Sequence, residues 1–373
     1  MMTTDLSFAA TFANKTVLVT GHTGFKGSWL SIWLRELGAQ VMGFSLPELP
    51  TKPCNFQVCG LEQRMLDVRG DVRDYDMLRK LLDTHRPEVI FHLAAQPLVL
   101  TAYDNPRETF EVNAMGTANL LEAVRETGTA RAVVCVTTDK VYENREWVWG
   151  YRETDHLGGH DPYSASKAMA ELAIAAYRRS FFAYGGPALA SARAGNVIGG
   201  GDFAAYRLVP DCIRALMAGQ PIIVRNPNYV RPWQHVLESL SGYLALAAKL
   251  LEEGQAFAEA WNFAPQETGG VTAQMVVEKV IALWGSGEWV SEADGQDAPS
   301  VIPPKETATL RLNWDKAANR LGWRPAYNWE QALVATVEWF RWFQKRTPQS
   351  EMYDACVAQI VGYMGSEDWR IRD

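Results

Sequence analysis

Residues 16–37 read TVLVTGHTGFKGSWLSIWLREL, and they predict a strand, a glycine-rich loop and a helix in immediate succession. The β-branched run over 16–20 is typical of a buried strand. Over 27–37 the apolar side chains recur at the spacing of a helix, at Trp29, Ile32, Trp33 and Leu37. Gly38 follows directly and predicts the end of that helix.

Three glycines, Gly21, Gly24 and Gly27, form the pattern G-x-x-G-x-x-G between this strand and this helix. The first permits a tight turn, the second lets the backbone approach a pyrophosphate, and the third lets helix and strand pack closely. The helix N-terminus then faces the anion. The pattern predicts a dinucleotide site, and the alternative is a tight turn that binds no ligand.

The adenosine end of such a site is less clear in the sequence. The second strand, predicted over 39–45, ends at Ser45, where an acidic residue usually binds the ribose diol. Glu48 is the nearest carboxylate, and no arginine stands there to meet a 2′-phosphate, which favours NAD over NADP. After the third strand, Asp71 and Val72 are candidate adenine contacts, although Asp71 could instead cap the next helix.

Short apolar runs alternate with longer helical patterns through the first half of the chain. This alternation predicts an α/β fold, a Rossmann-type doubly wound parallel sheet with a smaller, mostly C-terminal substrate-binding domain. Further strands are predicted over 88–95, 130–138 and 188–199. Further helices are predicted over 74–85, 113–128, 208–219 and 238–252.

The length of 373 residues is more than one hydrophobic core usually supports, which predicts two domains or one large domain with a smaller addition. The pattern changes near residue 196, where a glycine-rich loop is followed by a basic segment. We predict a cofactor-binding domain over 1–195, to which 225–262 returns. The substrate-binding domain is predicted over 196–224 and 263–373.

Composition narrows the classes of function. A net charge of −7 argues against nucleic acid as the main partner. The five cysteines are scattered, and His156 and His160 are separated by two glycines, so we predict no metal site and free thiols in a reducing cytoplasm. No segment approaches the roughly 18 uninterrupted apolar residues of a membrane span, so no membrane association is expected. A cytoplasmic location follows as an expectation.

A second motif, Tyr163-x-x-x-Lys167, lies in DPYSASKAMAEL. Residues four apart share one face of a helix, so the ammonium can sit near both a nicotinamide ribose and the phenol. A tyrosine must lose several units of pKa to act as a base at neutral pH, and a lysine cation with a positive nicotinamide ring would supply that field. The motif therefore predicts a redox base, and the alternative is an exposed pair on a helix.

Six stretches resemble the extended short-chain dehydrogenases: GHTGFKG, FHLAAQPLV, VTTDKVYENREWVWGYRE, DPYSASK, RAGNVIGGGD and RNPNYVRPWQHVLE. Within that family they are similar to the nucleotide-sugar 4,6-dehydratases, and most similar to the branch that acts on CDP-glucose. The resemblance runs over about 14–345 of the chain. TTDK, ENREWVWGY and RPWQHV are typical of that branch, and Lys140 stands where the dTDP-glucose enzymes carry glutamate.

The resemblance implies a role for each residue of the candidate catalytic set. Tyr163 would take the O4 proton while C4 delivers hydride to NAD, and Lys167 would bind the ribose. Thr138 would hydrogen-bond near O4, and Asp139 would be the general acid that protonates the departing O6. Lys140 would assist at C5, and three roles stay open for it: general base, electrostatic helper, or a partner in a salt bridge.

The resemblance also implies the binding residues. For NAD these are Gly21, Thr23, Gly24, Phe25, Lys26, Gly27, Asp71, Val72, Leu93, Ala94, Ala95, Gln96, Asn113, Thr137, Tyr163 and Lys167. For the nucleotide sugar, expected to be CDP-glucose, they are Gln96, Asn196, Arg207, Leu208, Arg225, Arg231 and His235. A homodimer formed through helices that flank the sheet is also implied.

The chain departs from the family pattern at Phe203, at Tyr206 and over 304–307, positions expected to bear on the nucleotide and sugar pockets. Trp147 and Trp149 are expected either near the active site or as packing aromatics in the core or a dimer. Other readings remain: a dehydratase of another nucleotide sugar, a UDP-hexose 4-epimerase, or a non-catalytic NAD-binding redox sensor. The pair Asp139-Lys140 argues against an epimerase, which needs no acid and base for C5 and C6.

Overall fold

The computed structural model describes residues 10–266, 270–292 and 309–365. The departure noted over 304–307 lies outside these residues. The main sheet contains seven parallel strands in the order β10-β6-β5-β4-β1-β2-β3. Their bounds are β1 Thr16–Thr20, β2 Gln40–Ser45, β3 Leu66–Arg69, β4 Val89–His92, β5 Ala132–Val136, β6 Ala188–Ala194 and β10 Ala260–Phe263. Short strands outside it are β7 Val197–Ile198, β8 Ile222–Val224, β9 Gln234–His235 and β11 Trp289–Ser291.

Helices connect the strands and cover both faces of the sheet. In chain order they are α1 Phe25–Glu36, α2 Asn55–Val58, α3 Tyr75–His85, α4 Val99–Asp104, α5 Pro106–Phe110, α6 Gly116–Thr127, α7 Pro162–Tyr177, α8 Leu208–Ala218, α9 Val236–Glu253, α10 Ala273–Trp284, α11 Trp329–Gln344 and α12 Gln349–Met364. Within the described ranges, none of them has both the length and the apolarity that a bilayer crossing requires.

The strand order confirms the doubly wound parallel sheet. The chain runs outward from β1 to β3, crosses back to β4 beside β1, and then runs outward the other way. Ligands of such sheets bind outside the carboxyl ends of the strands where the order reverses. The fold therefore directs attention to the ends of β1, β4 and β5.

Buried strands carry apolar side chains to both faces of the sheet, as parallel strands do. Val17 and Val19 belong to one core cluster and Leu18 to the other. The predicted apolar face of α1 is confirmed, because Trp29, Ile32 and Trp33 are fully buried in the first of these clusters.

One predicted strand is divided in two. We expected a single strand over 188–199, but β6 stops at Ala194 and β7 pairs with β9 instead of continuing in the main sheet. The break contains Gly195, where a Cβ would lie 2.9 Å from Oδ2 of Asp139 and equally close to Pro232. The chain at this break therefore passes directly against Asp139.

The segment from residue 225 onward returns to the main sheet, since β10 pairs in parallel with β6. Helix α9 leads into it and packs on β5 and β6. The boundaries of the two domains remain a prediction.

Candidate active site

A cavity of about 1180 Å³ opens at the carboxyl ends of the central strands. The structure brings 22 of the 25 predicted site residues to its wall: Gly21, Thr23, Gly24, Phe25, Lys26, Gly27, Asp71, Val72, Leu93, Ala94, Ala95, Thr137, Thr138, Asp139, Lys140, Tyr163, Lys167, Asn196, Arg207, Leu208, Arg225 and Arg231. Three lie elsewhere: Gln96, Asn113 and His235. One continuous cavity therefore joins the cofactor end to the substrate end.

The glycine-rich loop is shaped for close approach by a ligand. Gly21 has φ +73°, a conformation that side chains rarely adopt, and a Cβ there would stand 2.7 Å from the backbone nitrogen of Ala94. A Cβ on Gly27 would collide with the carbonyl of Gly21. Helix α1 begins after Gly24 without a side-chain cap, so its first turn can offer N–H groups to an anion. These features fit the pyrophosphate of a dinucleotide.

Next to the glycine-rich loop, the end of β2 takes part in a series of side-chain hydrogen bonds. Ser45 Oγ lies 2.9 Å from Nδ1 of His22, and Nε2 of the same ring lies 2.8 Å from Asp67. Burial lowers the pKa of His22, against the opposing effect of Asp67. We expected no arginine near Ser45, but β2 and β3 pair so that Arg69 is directly opposite it.

That arginine does not line the cavity. The guanidinium of Arg69 makes a 2.7 Å ion pair with Asp67 and donates to the carbonyl of Leu46 at 3.2 Å. Its charge is thus offset by a neighbouring carboxylate, and NAD remains favoured over NADP. Sequence reasoning missed it because only strand register brings residues of β2 and β3 together.

Asp71 lies on the cavity wall and is ion-paired with Arg73 at 2.6 Å. The alternative that Asp71 caps the following helix is wrong, because Asp74 is the N-cap of α3 and accepts from Met77 N. Asp71 instead accepts from the backbone N–H of Arg73 at 2.8 Å, which shapes the loop beside the cavity.

Tyr163 and Lys167 lie on the first turns of α7, which begins with Asp161 as N-cap and Pro162 at its first position. Both side chains are buried against the cavity. Lys167 Nζ donates to the carbonyl of Val136 at 3.3 Å, and burial lowers the pKa of Lys167 to about 8. The helix therefore brings the expected phenol and ammonium to the end of β5.

The expected fall in the tyrosine pKa is not produced by the protein alone. Burial raises the pKa of Tyr163 to about 12, and the opposing effects of a hydrogen bond with Thr138 and the charge of Arg207 are smaller. The physical reason is that the free-energy cost of removing a phenolate from water exceeds the stabilisation that these groups provide. The predicted fall in the Tyr163 pKa includes the field of a positively charged nicotinamide ring and stays a prediction.

Thr138, Asp139 and Lys140 follow β5 in a tight turn. Thr138 Oγ1 accepts from the backbone N–H of Lys140 at 3.3 Å and donates to Asp139 Oδ1 at 3.0 Å. The other carboxyl oxygen, Asp139 Oδ2, is buried and has no hydrogen-bond partner within the described residues. The turn thus fixes one carboxyl oxygen through Thr138 and leaves the other buried next to Gly195, in a residue that lies on the cavity wall.

The environment of this carboxyl group suits a general acid. Burial raises the pKa of Asp139, while Lys140, Thr138, Arg231 and Lys26 act in the opposite direction. A raised pKa keeps the proton on a carboxylic acid, which can then donate it to a leaving group. Lys140 is half-buried on the cavity wall beside it.

A further lysine reaches this region from the glycine-rich loop. Lys26 Nζ donates to the hydroxyl of Tyr243 at 3.3 Å, and burial together with Arg207 lowers the pKa of Lys26 to about 7. The sequence placed Lys26 with the cofactor contacts but gave no role to its side chain. The signal available in the sequence was a lysine between Phe25 and Gly27, directly before the apolar pattern of the helix.

At the substrate end, Arg207 makes a 2.9 Å ion pair with the buried Asp202, a partner the sequence did not single out. Arg231 stacks over Tyr229, with the guanidinium carbon 5.3 Å from the ring centre. Arg225 lies on the same wall. These side chains form the cationic end of the cavity, where planar guanidinium groups suit paired phosphate oxygens.

His235 does not line the substrate pocket. The ring is fully buried between Trp29 and Tyr327, and its Nδ1 accepts from the N–H of Leu237 at the start of α9. Burial lowers the pKa of His235 to about 3, so the side chain is neutral. It is a helix cap within the core.

Gln96 and Asn113 hold each other instead of facing the cavity. The backbone N–H of Gln96 donates to Asn113 Oδ1 at 2.9 Å, and Asn113 Nδ2 donates to Ser166 on α7 at 2.9 Å. The Gln96 amide contacts Leu98 and Thr109. Both residues shape the loop after β4, and any ligand contact from them is indirect.

The two substituted positions both line the cavity but differ in their other contacts. Phe203 packs its ring against Trp339, Phe340 and Phe343 of α11. Tyr206 lies on the cavity wall, largely exposed, with φ 64°.

Trp147 stacks on Tyr151 at 5.0 Å between ring centres, outside the cavity wall, so packing is its observed role.

Comparison with known proteins agrees with this arrangement. The profile of the GDP-mannose 4,6-dehydratase family matches residues 18–336. The chain belongs to that family. The CDP-glucose 4,6-dehydratase of Salmonella typhimurium is 47% identical over 333 residues, which are 88% of this chain and 90% of that protein.

Solved structures share the fold. A dTDP-glucose 4,6-dehydratase from Streptomyces venezuelae, solved with NAD bound, is 26% identical with a TM-score of 0.70, covering 87% of this chain and 97% of that one. A Thermus thermophilus UDP-glucose 4-epimerase in complex with NAD is 26% identical with a TM-score of 0.74, covering 87% and 99%. The fold alone therefore does not separate dehydratases from epimerases.

Proposed function

We propose that this protein is a lyase that converts CDP-glucose to CDP-4-dehydro-6-deoxyglucose and water, with NAD as a recycled cofactor. The observation that carries the proposal is the carboxyl group of Asp139, which is buried on the cavity wall beside Lys140 and keeps one oxygen without a hydrogen-bond partner in the described residues. A simple alcohol dehydrogenation has no use for this pair. The elimination of water across C5 and C6 needs both an acid and a base.

The first half of the reaction oxidises C4. NAD supplies the hydride acceptor here and returns the hydride later. Tyr163 takes the O4 proton as the C4 hydrogen leaves as hydride, and Lys167 holds the ribose and contributes positive charge. The 4-ketone that forms makes the C5 hydrogen acidic. Thr138, which lies on the cavity wall with Tyr163, orients the O4 end of the sugar.

The second half removes water and reduces C6. Lys140 takes the C5 proton while Asp139 gives its proton to O6, so that the C6–O6 bond breaks and water departs. The hydride then adds to C6 and the proton on Lys140 returns to C5. Tyr163 releases its proton and Asp139 regains one, so the net change is the loss of one water molecule.

A 4-epimerase is the nearest rival, because its fold is the same. An epimerase must return hydride to C4 and leaves C5 and C6 untouched. A buried carboxylic acid next to a lysine would be a cost without a function in that reaction. A redox sensor without catalysis is disfavoured by the same pair and by Tyr163 and Lys167, which together form a full catalytic set.

The choice of CDP-glucose rests on the high identity to the Salmonella typhimurium enzyme and on the TTDK turn. The cationic wall formed by Arg207, Arg225 and Arg231 supports a nucleoside diphosphate. The assignment is tested by incubating the protein with CDP-, dTDP-, UDP- and GDP-glucose and following 4-keto-6-deoxy products by NMR. Turnover of another donor without turnover of CDP-glucose would contradict it.

We also propose a homodimer formed by α7 and its neighbours. Met115, Met169 and Leu172 are 56%, 46% and 61% exposed on segments that pack together. Such clustered apolar exposure is typical of an interface. A Leu172→Glu variant should be monomeric by light scattering, whereas a monomeric unmodified protein would rule the dimer out.

A cytoplasmic location is supported by the free thiols of all five cysteines.

A further inference from the structure

The catalytic turn over 138–140 is held on both sides by one buried ion pair. Thr137, directly before the turn, donates from Oγ1 to Glu171 Oε1 at 2.5 Å. Tyr142, two residues after it, accepts from Arg193 Nη1 at 2.7 Å. Glu171 and Arg193 are paired with each other, so the two ends of the turn are linked through them.

The pair itself is buried and joined by two hydrogen bonds. Arg193 Nη2 donates to Glu171 Oε2 at 2.7 Å and Nε donates to Oε1 at 2.9 Å, and both side chains are 3% exposed. A two-point contact between a planar guanidinium and a carboxylate fixes orientation as well as distance. Because both groups are buried, breaking the pair would leave a charge without its partner inside the protein.

The elements that carry these residues are those that the reaction must keep in register. Glu171 lies one helical turn after Lys167 on α7, so it shares a face with the redox lysine. Arg193 lies in β6, next to β5 in the sheet. The ion pair therefore links the helix that carries Tyr163 to the turn that carries Asp139.

Tyr142, which follows the turn, and Arg193 make further contacts that hold this end of the turn. The hydroxyl of Tyr142 donates to Asn262 Oδ1 at 2.8 Å, and the guanidinium carbon of Arg193 lies 5.0 Å from the centre of the Tyr142 ring. Arg193 Nη1 also donates to the carbonyl of Glu153 at 3.2 Å. Removing the Tyr142 hydroxyl alone thus leaves the charge of Arg193 paired.

We propose that Glu171 and Arg193 are positioning residues that hold Asp139 and Lys140 in register with Tyr163 and Lys167, so that elimination at C5 and C6 follows oxidation at C4 without loss of the intermediate. The inference rests on the proposed function for its catalytic consequence. The structural part, that Tyr142 fixes the turn through Arg193, stands on the contacts alone.

The chain offers a matched pair of variants. Tyr142→Phe removes the hydroxyl that joins Arg193 to the turn. Ser191→Ala removes a different hydrogen bond to the same ion pair, from Ser191 Oγ to Glu171 Oε2 at 2.8 Å, without touching the turn. Tyr142→Phe loses buried hydrogen bonds to Arg193 and Asn262, and Ser191→Ala loses one to Glu171. A role in mere stability would therefore lower the melting temperature of both variants without a selective change at the turn.

Amide hydrogen exchange over 138–142 tests the structural part. We expect Tyr142→Phe to raise the exchange rate there at least about 10-fold and Ser191→Ala to change it less than about 2-fold. Equal rates in the two variants, or no increase in Tyr142→Phe, would overturn the proposal. This readout needs no substrate, so it decides the point even where the proposed function fails.

Single turnover with CDP-glucose tests the catalytic part. In Tyr142→Phe the absorbance at 340 nm, which reports reduced nicotinamide, should rise at a rate within about 3-fold of that of the unmodified protein. The signal should then persist, because elimination is slowed about 10-fold or more. In Ser191→Ala both steps should stay near normal. Equal slowing of both steps in Tyr142→Phe would contradict positioning. An unmodified protein without turnover would instead count against the proposed function.

Discussion

Gly195 leaves the space that the carboxyl group of Asp139 occupies. A Cβ on Gly195 would stand 2.9 Å from Asp139 Oδ2, closer than non-bonded carbon and oxygen atoms approach each other. Gly195 follows β6, and Asp139 follows β5, which is the neighbouring strand in the sheet. The end of β6 therefore limits where the carboxyl group after β5 can lie. The position of the proposed general acid thus depends on a residue that has no side chain.

A Gly195→Ala substitution should displace Asp139 and slow dehydration about 100-fold or more, because small displacements of catalytic groups are costly. NAD affinity, measured by fluorescence titration, should change little. Gly362→Ala is the control, since a Cβ there meets nothing within 4 Å. Normal turnover of Gly195→Ala would show that the carboxyl group has room to move and is not fixed by this contact.

Asp139→Asn keeps the shape of the side chain and removes the proton donor. We expect oxidation at C4 to proceed and elimination to slow by about 10²- to 10⁴-fold, the usual contribution of a general acid. Stopped-flow absorbance at 340 nm would show a reduced cofactor that accumulates. Because burial raises the pKa of Asp139, the unmodified enzyme should lose elimination activity as pH rises through that value. Loss of the C4 oxidation step in Asp139→Asn would contradict the assignment.

Lys140→Ala separates the roles left open for this lysine. As the base at C5, Lys140 should be required for incorporation of solvent deuterium at C5, so the variant should lose exchange and turnover together. An electrostatic helper would leave exchange detectable while turnover slows. Normal exchange with normal turnover would show that Lys140 serves neither purpose. Proton NMR of the sugar in D₂O measures both quantities.

Lys26 should make stability depend on pH. Its pKa is lowered from 10.5 to about 7 in the folded protein, so between these values the unfolded chain binds the proton and the folded chain does not. The free energy of unfolding therefore rises with pH across this window. Below pH 7 the buried cation carries its full cost, for which the shift sets an upper bound of about 5 kcal/mol.

Lys26→Met should accordingly raise the melting temperature most at pH 6, with a gain that shrinks toward pH 9.5. Thermal denaturation of the cofactor-free protein measures it. Lys80→Met, at an exposed position of α3, should show no such trend. A gain for Lys26→Met that is the same at both pH values would mean that charge burial is not the cause.

The sequence predicted those parts of the fold that depend on local patterns. The run over 16–37 predicted its strand, loop and helix, and the alternation of elements predicted the parallel sheet, because burial of apolar side chains dominates both. The spacing of Tyr163 and Lys167 predicted their common helix face. These features involve residues close together in the chain.

What could not be predicted depends on contacts between residues far apart in the chain. The register of β2 and β3 brings Arg69 beside Ser45, and the packing of α9 buries His235, although its motif suggested a ligand contact. The effect of burial on the Tyr163 pKa could not be predicted either, because it depends on how residues distant in the chain cover the phenol. No single-sequence pattern encodes these distances.

The fate of the hydrogen at C4 tests the central claim most directly. CDP-glucose carrying deuterium at C4 should give CDP-4-keto-6-deoxyglucose with that deuterium in the C6 methyl group, since the hydride removed from C4 returns to C6 of the same sugar. Deuterium and proton NMR of the product measure its position. Recovery of the label at C4 of a hexose epimer, or its loss from a product still bearing the C6 hydroxyl, would contradict the dehydratase account.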